Sequence, residues 1–199
     1  MVVDNKLSWK KHIDYIHNKI SRNVGIICRL KSHLPSKSLL MLYSSLILPY
    51  LNYGLLAWGS TYHSFADKLL LLQKKVLRII FNCSPFSHTD PLFFENKLLK
   101  IRDLYLLQLG QFMYNYNKGL LPSAFSEMFV KNNTFHNYPT RHSGELHLPL
   151  LRTISAQNTF FYEGPKFWNS LSNAIKVSPS LNSFKNKLKL FLIQSYNPN

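Results

Sequence analysis

The sequence predicts a mainly α-helical fold, an irregular helical bundle followed by a loop-rich, aromatic C-terminal segment. Apolar residues recur three or four positions apart over several long segments, which is the periodicity of amphipathic helices. Prolines and small polar residues interrupt these segments where helices would begin or end. The chain is also 46% hydrophobic and 14% aromatic. A disordered basic chain would lack this apolar content, so a folded core is expected.

The first predicted helix follows Ser8, a good N-cap residue, and opens at Trp9. Its apolar stripe consists of Ile13, Ile16, Ile20, Val24 and Ile27. Its other sides carry Lys10, Lys11, Lys19, Arg22, Arg29 and Lys31, with Asp14 as the one acid. This imbalance leaves two interpretations open, a solvated polar face and a surface that faces phosphates. Residues 1–6 are expected to end a strand and enter a turn, which suggests that the chain begins part-way through a larger protein.

Residues 38–66 contain no charged side chain. This length raises the alternative of a membrane-associated protein that uses residues 38–58, since a spanning helix needs about 20 apolar residues. Ser44, Pro49 and Asn52 interrupt the segment and favour buried helices that are kinked or broken at Pro49. A membrane-associated protein stays the alternative to buried helices.

A basic amphipathic helix is predicted from about Ser64 to Asn82. Its apolar residues are Phe65, Leu69, Leu72, Val76, Leu77, Ile79 and Ile80. Its polar face is expected to carry Lys68, Gln73, Lys74, Lys75 and Arg78. Such a helix could lie along a phosphate backbone, bind a membrane surface, or simply be exposed to solvent.

The remaining elements follow from capping residues. Asp90 is expected to cap a helix that has Pro91 at its first position, and Gly119 to close a helix over 101–117. A short helix over 123–129, an aromatic cluster over 154–171 and a basic helix capped by Ser180 complete the prediction. The expected division is a helical bundle at 1–130, a loop or linker at 131–151 and a C-terminal helical extension at 152–199.

The formal net charge is +15, from 24 Lys and Arg against nine Asp and Glu. Such a charge favours a polyanionic partner, with nucleic acid first and an anionic membrane surface second. The nine acids are isolated from one another, whereas two-metal phosphoryl transfer needs several converging carboxylates. No catalytic residue is therefore assigned, and a self-contained polymerase or nuclease site is not expected.

Other site chemistry has little support in the sequence. Cys28 and Cys83 are isolated and the eight histidines have no usable ligand spacing, so no metal site or cofactor is predicted. The seven glycines are scattered, so there is no phosphate-binding loop and no small-molecule substrate is expected. Cys28 is expected to be a buried thiol in a reducing compartment. No signal segment is evident, and the expected location is cytoplasmic or nuclear rather than secreted.

Seven basic residues are the candidates for nucleic-acid contact. They are Lys74, Lys75 and Arg78, then Lys10, Lys11 and Arg22, and Arg141 in the loop. The expected partners are RNA and DNA, bound through phosphate contacts with little sequence preference.

An ordered set of segments resembles one known family. It comprises Leu7-Ser8-Trp9-Lys10-Lys11-His12-Ile13, Leu42-Tyr43-Ser44-Ser45-Leu46-Ile47-Leu48-Pro49-Tyr50-Leu51-Asn52-Tyr53-Gly54, Trp58-Gly59, Gln73-Lys74-Lys75-Val76-Leu77-Arg78-Ile79-Ile80, Thr140-Arg141, Gly164-Pro165-Lys166-Phe167-Trp168-Asn169-Ser170-Leu171 and Phe184-Lys185-Asn186-Lys187-Leu188-Lys189. In this order, the segments resemble the region after the palm in reverse transcriptases of non-LTR retrotransposons of the jockey and LINE type.

The resemblance implies a helical thumb and a C-terminal extension, which in that family hold the template–primer duplex during RNA-directed DNA synthesis. The family's catalytic Asp-Asp box lies upstream in the palm, and neither that box nor an endonuclease domain occurs here. The resemblance therefore implies a truncated fragment without polymerase activity of its own, with the palm domain as a partner where one is encoded. A further hypothesis is a transposon relic that has no function and does not fold stably.

Overall fold

The computed structural model describes residues 1–5, 7–61, 63–134 and 143–197. The fold is mainly helical, as predicted. The helices are α1 (Lys10–Leu30), α2 (Ser36–Leu46), α3 (Leu48–Asn52), α4 (Leu55–Trp58), α5 (His63–Ile80), α6 (Asp90–Glu95), α7 (Ile101–Asn117), α8 (Ile154–Gln157), α9 (Phe160–Ser170), α10 (Asn173–Lys176) and α11 (Leu181–Gln194). Two short 3₁₀ helices cover Ser123–Phe125 and Asn132–Thr134. Within the described ranges, β-type pairing is limited to an isolated antiparallel bridge between Lys131 and Leu146.

The chain forms two compact units. The first comprises Met1–Tyr105 together with Leu192–Asn199, and the second comprises Leu106–Phe191. The division at residues 130 and 151 that the sequence suggested stays a prediction.

The first unit is built on the packing of α1 against α5, and α2 contacts both helices. The predicted apolar stripe of α1 is confirmed, because Ile13, Ile16, Ile20, Val24 and Ile27 are all buried. Cys28, one position beyond the stripe, is exposed, so the expectation of a buried thiol was wrong. An α-helix turns by about 100° per residue, which carries position 28 out of the buried face.

Asp4 accepts most of the backbone hydrogen bonds before α1, and the Ser8 hydroxyl accepts the Lys10 N–H at 3.4 Å. The Asp4 carboxylate accepts hydrogen bonds from the Ser8 N–H at 3.1 Å, the Trp9 N–H at 3.1 Å and the Ser8 hydroxyl at 3.0 Å. Trp9 is the N-cap residue, with φ of 59°, and the helix begins at Lys10. The described residues before Asp4 form no strand, so the expected strand end was wrong.

The uncharged segment is broken at Pro49, as predicted. Helix α2 ends at Leu46 and α3 begins at Leu48, which places Pro49 in the first turn of α3, where its missing N–H costs no helical hydrogen bond. Tyr43 and Leu51 from this segment are fully buried. Among the residues that the structure describes, no helix is both long and apolar enough to cross a membrane.

Helix boundaries after α5 follow the predicted order with two corrections. Thr89, and not Asp90, is the N-cap residue of α6, so Asp90 and Pro91 are its first two residues. The helix expected over 123–129 is limited to the 3₁₀ turn Ser123–Phe125. Helix α7 has the predicted bounds, and Gly119 follows it with φ of +65°, a conformation that glycine adopts without strain.

The second unit contains an aromatic cluster that combines Phe160 and Phe161 of the predicted segment with Phe112 and Phe129 from outside it. Its ring contacts join Phe129 to Phe160 and Phe161, with centroid distances of 6.0 and 6.4 Å, and Phe112 to Phe160 at 4.7 Å. Ser180 caps α11 as expected, since its hydroxyl accepts the Ser183 N–H at 3.2 Å.

Candidate nucleic-acid interface

The candidate residues on α1 all lie on its solvent side. Lys10, Lys11 and Arg22 are exposed, while the isoleucine stripe faces the core. Lys11 and Arg22 are eleven positions apart, which is close to three full helical turns, so they lie on one line along the helix. Arg29 follows seven positions later on the same side and is also exposed. The outer face of α1 therefore presents a row of cations.

The candidate residues on α5 also lie opposite its buried side. Leu69, Val76, Leu77 and Ile80 are buried. Lys75 is exposed, and Lys74 and Arg78 are half-buried. The Arg78 Nε–H donates to the carbonyl of Ser87 at 2.9 Å, so this side chain also anchors the loop that follows α5.

Gln73 does not lie on the polar face where the sequence placed it. It is fully buried, and its Nε2 donates to the Tyr43 hydroxyl at 2.9 Å and to the Leu99 carbonyl at 3.2 Å. Its Oε1 accepts the Ile101 N–H at 2.8 Å. Burial raises the pKa of Tyr43 to about 12, so its hydroxyl keeps its proton at neutral pH. A polar residue was assigned to solvent on its type, although its position continues the buried stripe of α5.

Two side-chain contacts show that α1 and α5 run in the same direction. The Thr61 hydroxyl donates to the Ser8 carbonyl at 3.2 Å, and Lys68 Nζ lies 3.1 Å from Asp14 Oδ1. The two pairs are separated by 53 and 54 positions in the sequence. When the same separation of 53 or 54 positions is applied to Lys75 on α5, its counterparts on α1 are Arg22 and Ser21. The structure thus brings the α1 and α5 candidates to the same unit and to overlapping levels of two packed helices.

The acids on these helices compensate little of the positive charge. Helix α1 carries five Lys and Arg and one Asp, and α5 carries four and one. The acid of α1, Asp14, is paired with Lys68 by a bridge whose side chains are 46% and 45% exposed. An exposed bridge of this kind contributes little stability, but it places both charges between the helices. The cations of the outer faces are therefore in large excess.

Arg141, the seventh candidate, lies outside the described residues. Among the residues that are described, no group of three His, Cys, Asp or Glu side chains could hold a metal ion.

No family model and no solved structure matches the chain. A segment of 106 residues is 26% identical to a curated Drosophila melanogaster protein, "Probable RNA-directed DNA polymerase from transposon X-element". The match covers 52% of this chain and 12% of that protein, so the chain corresponds to a small part of the relative's length. This similarity supports an origin of the chain that is related to retrotransposon reverse transcriptases.

Proposed function

We propose that the chain is a nucleic-acid-binding, thumb-like fragment of a non-LTR retrotransposon RNA-directed DNA polymerase, of the jockey or LINE type. In this proposal it binds RNA or DNA through its basic helices and acts with a palm domain where the full element encodes one. The similarity to the transposon polymerase supports the polymerase relationship. The ordered segments from Leu7 to Lys189 support the assignment to the thumb and C-terminal region.

The observation that carries the binding proposal is the outer surface of the packed helices α1 and α5. Its cations exceed its acids, and they are attached to a folded framework rather than to a tail. When the cations of such a surface bind phosphates, counterions condensed on the nucleic acid are released. The resulting affinity for nucleic acid does not depend on base sequence and falls as the salt concentration rises. The exposed Lys11 and Arg22 on α1 and Lys75 on α5 are the first residues assigned to this contact.

A charge-reversal experiment tests this assignment. The double variant Lys74→Glu and Lys75→Glu should weaken binding to duplex RNA at low salt by at least tenfold, because two attractive phosphate contacts become repulsive. Arg78 is left intact because its bond to the Ser87 carbonyl also serves the fold. The matched control, Lys131→Glu and Lys185→Glu, alters two exposed lysines of the second unit and changes the net charge by the same amount.

The control separates local contact from net charge. We expect it to retain most of the affinity, with both variants melting cooperatively near the wild-type temperature. If both variants lose the same affinity for duplex RNA, Lys74 and Lys75 do not belong to the interface.

The proposal also holds that the chain does not polymerise DNA by itself. Its support is the isolation of the nine acids along the sequence, since polymerase metal sites need converging carboxylates. Primer extension on an RNA template with Mg²⁺ should give no incorporation above background. Incorporation that follows the purified chain through gel filtration would contradict this part of the proposal.

A membrane-associated protein remains the second candidate. Within residues 38–58, Met41 and Tyr53 each have 65% of their surface exposed, which leaves apolar area for a lipid surface. Flotation of the chain with anionic vesicles that resists high salt would favour this candidate over nucleic-acid binding.

A further inference from the structure

The first unit contains a cleft walled by tyrosine rings. Its volume is about 320 Å³, at the lower end of the range for small-molecule sites. Tyr15 from α1, Tyr50 from α3 and Tyr53 directly after α3 line it, and they are 48%, 36% and 65% exposed. Three aromatic side chains on one cleft offer flat, solvent-accessible faces, which is the kind of surface on which nucleobases stack.

His12 lines the same cleft, although it is only 2% exposed. Its Nδ1 accepts the Val2 N–H at 3.3 Å, so the neutral ring carries its proton on Nε2. Burial and, to a lesser extent, the positive N-terminal amine lower the pKa of His12, which favours this neutral form. Nε2 is shielded from solvent and has no hydrogen-bond partner in the described part of the chain. An unsatisfied buried donor of this kind is unfavourable, and an acceptor brought by a ligand would relieve it.

Two lysines of α1 are neighbours of residues that line the cleft. Lys19 Nζ is 5.6 Å from the centroid of the Tyr15 ring, which is within the range of a cation–π interaction. Lys11, adjacent in sequence to His12, is exposed on the cationic row of α1. A ligand with a flat aromatic part and a phosphate on either side of it would match both the ring faces and these charges.

We propose that this tyrosine cleft seats one unstacked nucleobase of a single-stranded nucleic acid. The inference rests on the proposed nucleic-acid binding and adds a second kind of contact to it. The base stacks on the tyrosine rings, its flanking phosphates meet Lys11 and Lys19, and a carbonyl or ring nitrogen of the base accepts the His12 Nε2–H. In this proposal the Met1 side chain, which lines the cleft and is 51% exposed, moves aside so that the base reaches Nε2.

The test compares two oligomers that carry equal phosphate charge. Fluorescence anisotropy gives the Kd of the full chain for an eight-residue oligouridylate and for an abasic oligomer of the same length. Since stacking of a base on aromatic side chains strengthens binding by roughly 5- to 150-fold, wild type should prefer the oligouridylate by at least fivefold. Equal affinities in wild type would overturn the cleft proposal.

Variants of the lining residues test whether the preference for the oligouridylate over the abasic oligomer arises at the cleft. Tyr15→Leu with Tyr53→Leu should reduce the preference to below twofold, while the affinity for the abasic oligomer stays within twofold of wild type. His12→Phe keeps an aromatic ring but removes the donor, and should lower the preference at least threefold. The control is Phe191→Leu, which alters an aromatic residue of α11 that is 49% exposed, and it should keep the full preference.

The outcomes distinguish this inference from the proposed function. If the control loses the preference as much as the tyrosine variant, or the tyrosine variant retains it, the cleft is not the base site. In either case salt-dependent binding of duplex RNA would leave the proposed function standing. If neither oligomer nor duplex RNA binds at low salt, the proposed function fails together with the cleft.

Discussion

Replacing Gln73 by leucine tests the packing of the first unit most severely. Gln73 is fully buried, and its amide serves the Tyr43 hydroxyl, the Leu99 carbonyl and the Ile101 N–H. Leucine has nearly the same volume but leaves these three groups without their partner. A buried polar group that loses its partner costs about 1–3 kcal/mol. The three costs are partly offset because the structure relaxes around the substitution and leucine adds apolar contact. We therefore expect Gln73→Leu to lower the free energy of unfolding by about 3–5 kcal/mol.

Urea denaturation followed by circular dichroism measures this loss. The matched control is Gln111→Leu on α7, because the Gln111 amide donates at 3.1 Å to the Leu107 carbonyl one turn earlier. Its removal should cost no more than about 1 kcal/mol, since a helix carbonyl keeps its main-chain hydrogen bond. A loss below about 1 kcal/mol for Gln73→Leu, or equal losses in the two variants, would refute the reasoning. A wild-type transition without cooperativity would instead support the hypothesis of an unstable transposon relic.

Three further predictions concern single groups. Tyr196→Phe removes the hydroxyl that donates to the Asp103 carboxylate and accepts the Lys100 N–H at 3.2 Å, so urea denaturation should show a loss of about 1.5–3 kcal/mol. Burial already raises the pKa of Asp103 and the Tyr196 hydrogen bond opposes this, so NMR titration of the variant should show a further rise. The pKa of His12 is lower in the folded chain, which therefore binds fewer protons than the unfolded chain as pH falls below about 6.5. Wild type should lose stability there relative to His12→Phe, and parallel pH profiles of the two unfolding free energies would contradict this. Ser180→Ala should cost about 1 kcal/mol in thermal unfolding, because it removes the cap of α11, and an unchanged melting temperature would contradict that role.

Local patterns in the sequence predicted most of the helices. The isoleucine stripe of α1, the break at Pro49 and the glycine after α7 each depend on residues close together in the chain, and the structure confirms all three. Capping was harder to predict, because Asp4 reaches the backbone of Ser8 and Trp9 from outside the usual cap position. Gln73 was misplaced because residue type was weighed above its position on the buried stripe, a signal that the sequence contained.

The sequence predicted which residues of the candidate interface are exposed, but it did not predict how the helices that carry them pack together. The exposure of Lys10, Lys11 and Arg22 follows from the buried stripe on the opposite side of α1. The parallel course of α1 and α5 depends on contacts between residues 53 and 54 positions apart, which no local pattern specifies. The tyrosine cleft depends on tertiary packing in the same way, since it brings Tyr15 together with residues of the uncharged segment.

The central claim is that folded basic helices bind nucleic acid through phosphates. Its most direct test is the affinity of the full chain for duplex RNA between 50 and 200 mM salt. If three to six of the six described candidate residues contact phosphates, the logarithm of the binding constant should fall linearly with the logarithm of the salt concentration, with a slope of roughly −3 to −5. Lys75→Ala should make that slope about one unit shallower. An affinity that does not change across this range, or no binding at 50 mM salt, would contradict the account.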